Sequence, residues 1–123
     1  MTSEATTEVP DLSFRSALSR LDEARLLMKV ESEVDPHLEL TSILYEQLDR
    51  HAVFFKQVSG YGVSVAGNLL ASEQNVLTIF QKNVAELRSF IVEGLTSPMS
   101  PVTVASGPVQ EVRHDDPDLT EHL

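Results

Sequence analysis

The strongest constraint on this chain is the shortness of its apolar runs and the turn residues that separate them. Pro36, Gly60, Gly62, Gly67 and Gly94 interrupt the sequence, and between them the apolar period switches from helical to alternating and back. No such segment can bury its apolar side alone. The segments must share one core, as helices laid on a small sheet.

Asp11 is placed to cap a first helix by accepting backbone N–H bonds. Leu12, Arg15, Leu18 and Leu21 follow at helical spacing, with Phe14 and Ala17 beside them, and the helix is expected to end near Ala24-Arg25. Leu26-Leu-Met-Lys-Val-Glu31 reads as a short strand with one buried side. Pro36 pushes Asp35 out of helical geometry and itself suits a first helical turn, so Asp35 is the expected cap of a second helix. Its inner stripe is Leu40, Ile43, Leu44 and Leu48, and it runs to Arg50.

Ala52-Val-Phe-Phe-Lys-Gln-Val58 has the β-branched and aromatic content of a strand. Ser59-Gly60-Tyr61-Gly62 is a turn, Val63-Ser-Val-Ala66 pairs back as a hairpin, and Gly67-Asn68 closes it. Ser72 starts a third and longest helix, with Glu73 at its positive end. Its stripe is Val76, Leu77, Phe80, Val84, Leu87 and Ile91, and Gly94 fits its stop. Thr96-Ser-Pro-Met-Ser-Pro101 is a linker. Val102-Thr-Val104 and Val109-Gln-Glu-Val112 have strand composition, broken by Ser106-Gly107-Pro108. The expected fold class is α+β: a small mixed sheet with about three helices packed on it and an extended, strand-forming C-terminal tail. The expected division is a disordered arm over 1–10, an α/β domain over 11–94, and a linker and tail over 95–123.

At 123 residues and 41 % hydrophobic, the chain fits one domain with a core of its own. No apolar run approaches the roughly 18 residues that span a bilayer, and the first ten residues lack the pattern of a signal peptide. The expected location is the cytoplasm. The absence of Cys excludes disulfides, thiolate catalysis and cysteine-based metal sites. Net charge is −10, and the nine Lys and Arg are scattered from Arg15 to Arg113 without a cluster. Nucleic acid and anionic membrane surfaces are therefore not expected partners. The acidity is compatible with a positively charged protein partner and equally with a role in solubility.

No constellation points to chemistry within the chain. His37 lies in a first helical turn and His51 at a helix end, where a cation meets the negative end of the dipole. His114, Asp115, Asp116, Asp118 and His122 form the densest ligand-type cluster, but on a segment expected to be solvated. Glu31/Glu33 and Asp115/Asp116 lack an apolar pocket that would split their pKa values. Gly60-Tyr61-Gly62 is too short for a phosphate loop and lacks the Lys-Ser/Thr that would follow. The expected catalytic, cofactor-binding and metal-binding residues are none, and the chain is not expected to be catalytic alone.

Val34-Asp35-Pro36-His37-Leu38-Glu39-Leu40-Thr41, Gly60-Tyr61, Gly67-Asn68-Leu69 and Ser106-Gly107-Pro108-Val109-Gln110-Glu111, followed by Asp116-Pro117-Asp118-Leu119, occur here in a fixed order. In that order and spacing the chain resembles the N-terminal domain of UbiD-type decarboxylases, over 11–70 and again over 102–119. The resemblance implies an α/β unit packed beside a domain that binds prenylated flavin mononucleotide. That later domain holds the catalytic Glu-Arg-Glu network, the flavin phosphate and its metal ions, and none of those positions is present in this sequence. Two features depart from the family pattern. Asp49-Arg50-His51-Ala52 joins the second helix directly to the next strand, without the usual Gly-Gly-Pro segment. Asn75-Val76 stands where an Arg, followed by a glycine, is usual.

The resemblance implies a non-catalytic accessory subunit, or an N-terminal domain, of a UbiD-type decarboxylase or carboxylase acting on an unsaturated or aromatic acid. The expected partner is a larger UbiD-like catalytic chain, which would carry the prenylated FMN with its metal ions. This chain alone would bind none of them. The residues expected to face that partner are Gly67, Asn68, Leu69, Gly107, Pro108, Gln110 and Val112. The alternative is a binding or regulatory protein that kept the domain without the chemistry.

Overall fold

The computed structural model describes residues 11–116, so the expected arm over 1–10, together with Asp118 and His122, lies outside the described residues. The elements run α1 (Phe14–Glu23), β1 (Leu27–Val30), α2 (Glu39–Glu46), β2 (Ala52–Phe55), β3 (Val65–Gly67), α3 (Glu73–Phe80), α4 (Val84–Thr96) and a 3₁₀ turn (Pro108–Gln110). The class is α+β as expected, with four α-helices among the described residues rather than three.

The sheet is three-stranded, in the order β1-β2-β3. β1 and β2 are parallel, pairing Leu27 with Ala52 and Val30 with Phe55, and α2 lies in the crossover between them. β2 and β3 are antiparallel, pairing Val53 with Gly67 and Phe55 with Val65. Both strands of this hairpin are shorter than their composition suggests. The ladder ends at Phe55, and beyond it only isolated bridges join Val58 to Val34 and to Tyr61.

Alternation along the strands sends residues to two cores. One holds Ala17, Leu21, Leu26, Ala52 and Ile79, with Leu27, Leu69 and Phe80 packed against it, under α1 and α3. The other holds Val34, Val53, Phe55 and Val58, closed by Leu40, Ile43 and Leu44 of α2. A central strand buried on both faces carries a continuous apolar run, as Ala52-Val-Phe-Phe55 does. The Arg20 guanidinium donates to the Ile79 carbonyl at 2.8 Å, tying α1 to the last turn of α3.

Helix boundaries depart from expectation for local reasons. Ser13, not Asp11, caps α1, its hydroxyl accepting from Ser16 N. Asp11 instead accepts from Ser13 N and from the Ser16 hydroxyl. Asp35 does not cap α2, which begins only at Glu39. The Asp35 carboxylate accepts from His37 N and the Glu39 carboxylate from Asp35 N, so these groups shape a turn before the helix. Leu38 sits in that turn at φ 70°, ψ −46°, with Glu39 N donating to His37 O at 2.9 Å. This is the rarer, non-inverse γ-turn, and such backbone in a non-glycine residue costs about 1–3 kcal/mol.

The single long helix expected from Ser72 to Gly94 is two helices. Gln81 adopts the left-handed conformation (φ 53°), and Asn83 opens α4 with a capping box. The Asn83 side chain accepts from Glu86 N, and the Glu86 carboxylate accepts from Asn83 N, each at 2.9 Å. The reciprocal bonds satisfy donors that a continuous helix would have satisfied itself. Gly94 does not end α4, which runs on to Thr96. The expected stripes are corrected too: Val84 and Ile91 of the long helix and Leu48 of the second are exposed, while Ile79 and Asn75 are buried. The tail forms no strand among the described residues, because Val102–Val104 and Val109–Val112 meet no partner edge, and a 3₁₀ turn from Pro108 takes in Val109 and Gln110.

Candidate functional site

Gly67, Asn68 and Leu69 form the joint between β3 and α3. A Cβ built on Gly67 would lie 2.6 Å from Leu44 Cδ2, so a larger residue here would force the Leu44 side chain of α2 to move. Asn68 follows at φ 59°, and its Nδ2 donates to the Leu44 carbonyl at 2.7 Å. The Asn68 carbonyl accepts from Asn75 Nδ2 at 3.3 Å and from Ala71 N at 3.2 Å. Asn75 is 0 % exposed, and its Oδ1 is a buried acceptor with no hydrogen-bond partner. Leu69 packs against the α1/α3 core. These three residues thus hold α2, β3 and α3 in place from inside. Neither Asn75 nor Ile79 belongs to the apolar stripe that the sequence suggests. The only signal for Asn75 was its place three residues after the Ser72 cap, to whose hydroxyl its backbone N donates.

Gly107, Pro108, Gln110 and Val112 lie elsewhere. Their hydrogen bonds are local: Gln110 N donates to Gly107 O, and Arg113 to Gln110 Oε1. No bond joins this group to 67–69. Val109 and Val112 point their side chains to solvent.

The groups weighed for chemistry stay apart. Glu31 pairs with Lys56 at 2.8 Å, and that hydrogen-bonded pairing raises the Lys56 pKa above its ordinary value. Lys29 pairs with Asp22 at 2.6 Å. His51 Nδ1 lies 3.1 Å from Gln47 Oε1. Among the described residues no three His, Asp or Glu side chains converge as metal ligands, and no helix is long and apolar enough to cross a membrane.

The surface nevertheless carries apolar side chains in quantity. α4 meets the rest of the fold through α3, where the rings of Phe80 and Phe90 lie 6.0 Å apart and Lys82 Nζ sits 5.1 Å from the Phe90 ring. Val84, Ile91 and Leu95 recur at helical spacing on its free side, with Leu95 77 % exposed. Met99, Val102 and Val104 continue that exposure into the following segment.

Residues 18–93 match the family model described as the 3-octaprenyl-4-hydroxybenzoate carboxy-lyase N-terminal domain, UbiD_N. The chain is 31 % identical over 108 residues to an uncharacterized protein in the cooM 5′ region of Rhodospirillum rubrum, a match covering 84 % of this chain and 23 % of that protein. Its fold is similar to that of a chain in the open form of Sedimentibacter hydroxybenzoicus vanillic acid decarboxylase (ShVdcCD), with a TM-score of 0.56 and 26 % identity. The same values hold for the open form with truncated ShVdcD. Each structural match covers 72 % of this chain and 20 % of the other. This chain thus spans between a fifth and a quarter of the length of these relatives.

Proposed function

The chain belongs to the UbiD N-terminal domain family, and from that membership we propose that it is the non-catalytic unit of a UbiD-type decarboxylase or carboxylase, working with a larger flavin-bearing chain. The observation that carries this reading is the family match over 18–93, joined to a structural likeness that takes up one fifth of a decarboxylase chain. The substrate is an unsaturated or aromatic carboxylic acid, the class to which the vanillic acid of the structural relatives belongs.

Among the described residues no converging set of donors for a flavin phosphate is seen. A phosphate needs converging donors or cations. Here Lys29 and Lys56 are held by Asp22 and Glu31, and Arg20 caps α3. The Gly60-Tyr61 turn closes a hairpin. Prenylated FMN and its metal ions therefore belong to the larger chain, and no chemical step is assigned to residues of this one. Its contribution is a rigid two-core unit that presents surface to that chain: the free side of α4, and the tail through Pro108, Gln110 and Val112. In this reading Gly67, Asn68 and Leu69 support docking indirectly, by holding α2 and α3. Movement of the unit against the flavin domain would open and close the site, as lids do.

Co-expression with the UbiD-type flavin chain of the source genome tests the reading. The expected result is one size-exclusion peak containing both chains and flavin absorbance, with decarboxylation of aromatic acids that depends on the small chain. Separate elution, with turnover indifferent to this chain, would leave a binding protein without a part in decarboxylation. Pro108→Gly combined with Val112→Asp should weaken the complex; unchanged assembly would remove the tail from the interface.

A further inference from the structure

α2 turns Leu40, Ile43 and Leu44 into the core. Helical spacing puts Ser42 and Tyr45 on the opposite side, and the Ser42 hydroxyl donates to the Leu38 carbonyl at 2.8 Å, which ties the exposed Leu38 turn to that side. Leu38 is 71 % exposed and Tyr45 75 %, and Leu48 just beyond the helix is 45 % exposed. An outward leucine at a helix entrance and an exposed tyrosine about two turns later form an apolar face that none of the described residues covers.

Charge identifies the occupant. Residues 31–50 contain Glu31, Glu33, Asp35, Glu39, Glu46 and Asp49 against Arg50 alone, a net of −5 within a chain of net −10. Glu31 is paired with Lys56. Asp35, Glu39, Glu46 and Asp49 are all exposed, and none belongs to an ion pair among the described residues. The free side of α4 differs in this respect, because Glu86 and Glu93 share that helix with Arg88 and with Lys82 just before it. An apolar centre rimmed by unpaired carboxylates is complementary to an apolar surface rimmed by Lys and Arg.

We propose that the outer face of α2, centred on Leu38 and Tyr45 and rimmed by Asp35, Glu39, Glu46 and Asp49, is a further contact surface for the larger flavin-bearing chain, beside α4 and the tail, and that it meets an apolar patch bordered by basic side chains. The inference rests on the proposed function and adds the surface and the chemistry of its partner. Aromatic anchors of this kind concentrate binding energy, while rim charges set the association rate and its salt dependence.

The test is the affinity of this chain for the flavin-bearing chain of its genome, measured between low and high salt. Tyr45→Ser and Leu38→Gly should each weaken binding about tenfold or more. Glu46→Lys should slow association and flatten the salt dependence. Melting temperatures keep the result free of folding effects: Tyr45 is a surface residue, and glycine accepts the positive φ of Leu38, so neither variant should lower Tm. A complex that forms but ignores both the α2 variants and salt overturns this inference and leaves the proposed function standing. Absence of any complex for the unaltered chain overturns both.

Discussion

Gly67 packs directly against the end of the Leu44 side chain. A Cβ there meets Leu44 Cδ2 at 2.6 Å, so Gly67→Ala should destabilise by about 1–3 kcal/mol in urea unfolding. Combining it with Leu44→Ala should cost less than the sum of the two single changes, since the second removes the clash. Asn68 combines a positive φ with a hydrogen bond to the Leu44 carbonyl. Asn68→Gly retains the backbone and should therefore be milder than Asn68→Ala, which loses both. At the other end of the fold, the Asp11 carboxylate accepts from the Ser16 hydroxyl at 2.5 Å and Ser13 N at 2.9 Å. These bonds, that from Ser16 foremost, hold its pKa below the ordinary 3.8. A depressed folded-state value means that the stabilisation is present above 3.8 and is lost as pH falls through the lower folded value. NMR titration of the Asp11 carboxyl carbon should give a midpoint under 3.8, with amide protection in the first turn of α1 falling over the same range. Gly67-Asn68 was legible as a turn because glycine and asparagine tolerate positive φ. Its contact with α2 was not, because Leu44 is distant in sequence. Asn75 was illegible for a related reason: polarity argues against burial unless the partner, here the Asn68 carbonyl, is already known.

At the scale of elements, the break between α3 and α4 shows two local signals in competition. Val76, Leu77, Phe80, Val84, Leu87 and Ile91 read as one stripe, yet Asn83 and Glu86 three residues on are a helix-start pair. The pair prevails because its reciprocal bonds satisfy the new N-terminus, while Phe80 and Phe90 meet across the bend. Asn83→Ala should cost about 1 kcal/mol and should increase amide exchange in the first turn of α4 while leaving α1 unchanged. α2 shows the same competition. Pro36 marks the approach to the helix, but the bonds among Asp35, His37 and Glu39 are spent on a turn, and the helix starts only at Glu39. Among the described residues the strand-like tail composition has no edge to pair with, so β-propensity alone produced no strand there.

For the molecule as a whole, stability resides in two small cores on opposite faces of one sheet. Phe55 is fully buried in the α2-side core, and Phe55→Ala should cost about 3–5 kcal/mol by thermal unfolding. Residues 98–116 are exposed almost throughout, so removing the chain from Pro98 onward should change stability by no more than about 0.5 kcal/mol, measured by the same unfolding curves. If truncation lowered the melting temperature sharply, the tail would be part of the fold rather than surface for a partner. The α+β class, the order of elements up to β3 and the family were determined by sequence alone, because periodicity, turn residues and short ordered motifs are local properties of the chain. Tertiary structure decided which apolar residues go inside, where the last long helix divides, and which faces of α2 and α4 the described residues leave exposed. Those outcomes depend on contacts between residues far apart in sequence, such as Gly67 with Leu44 and Arg20 with Ile79, and local patterning carries no record of them.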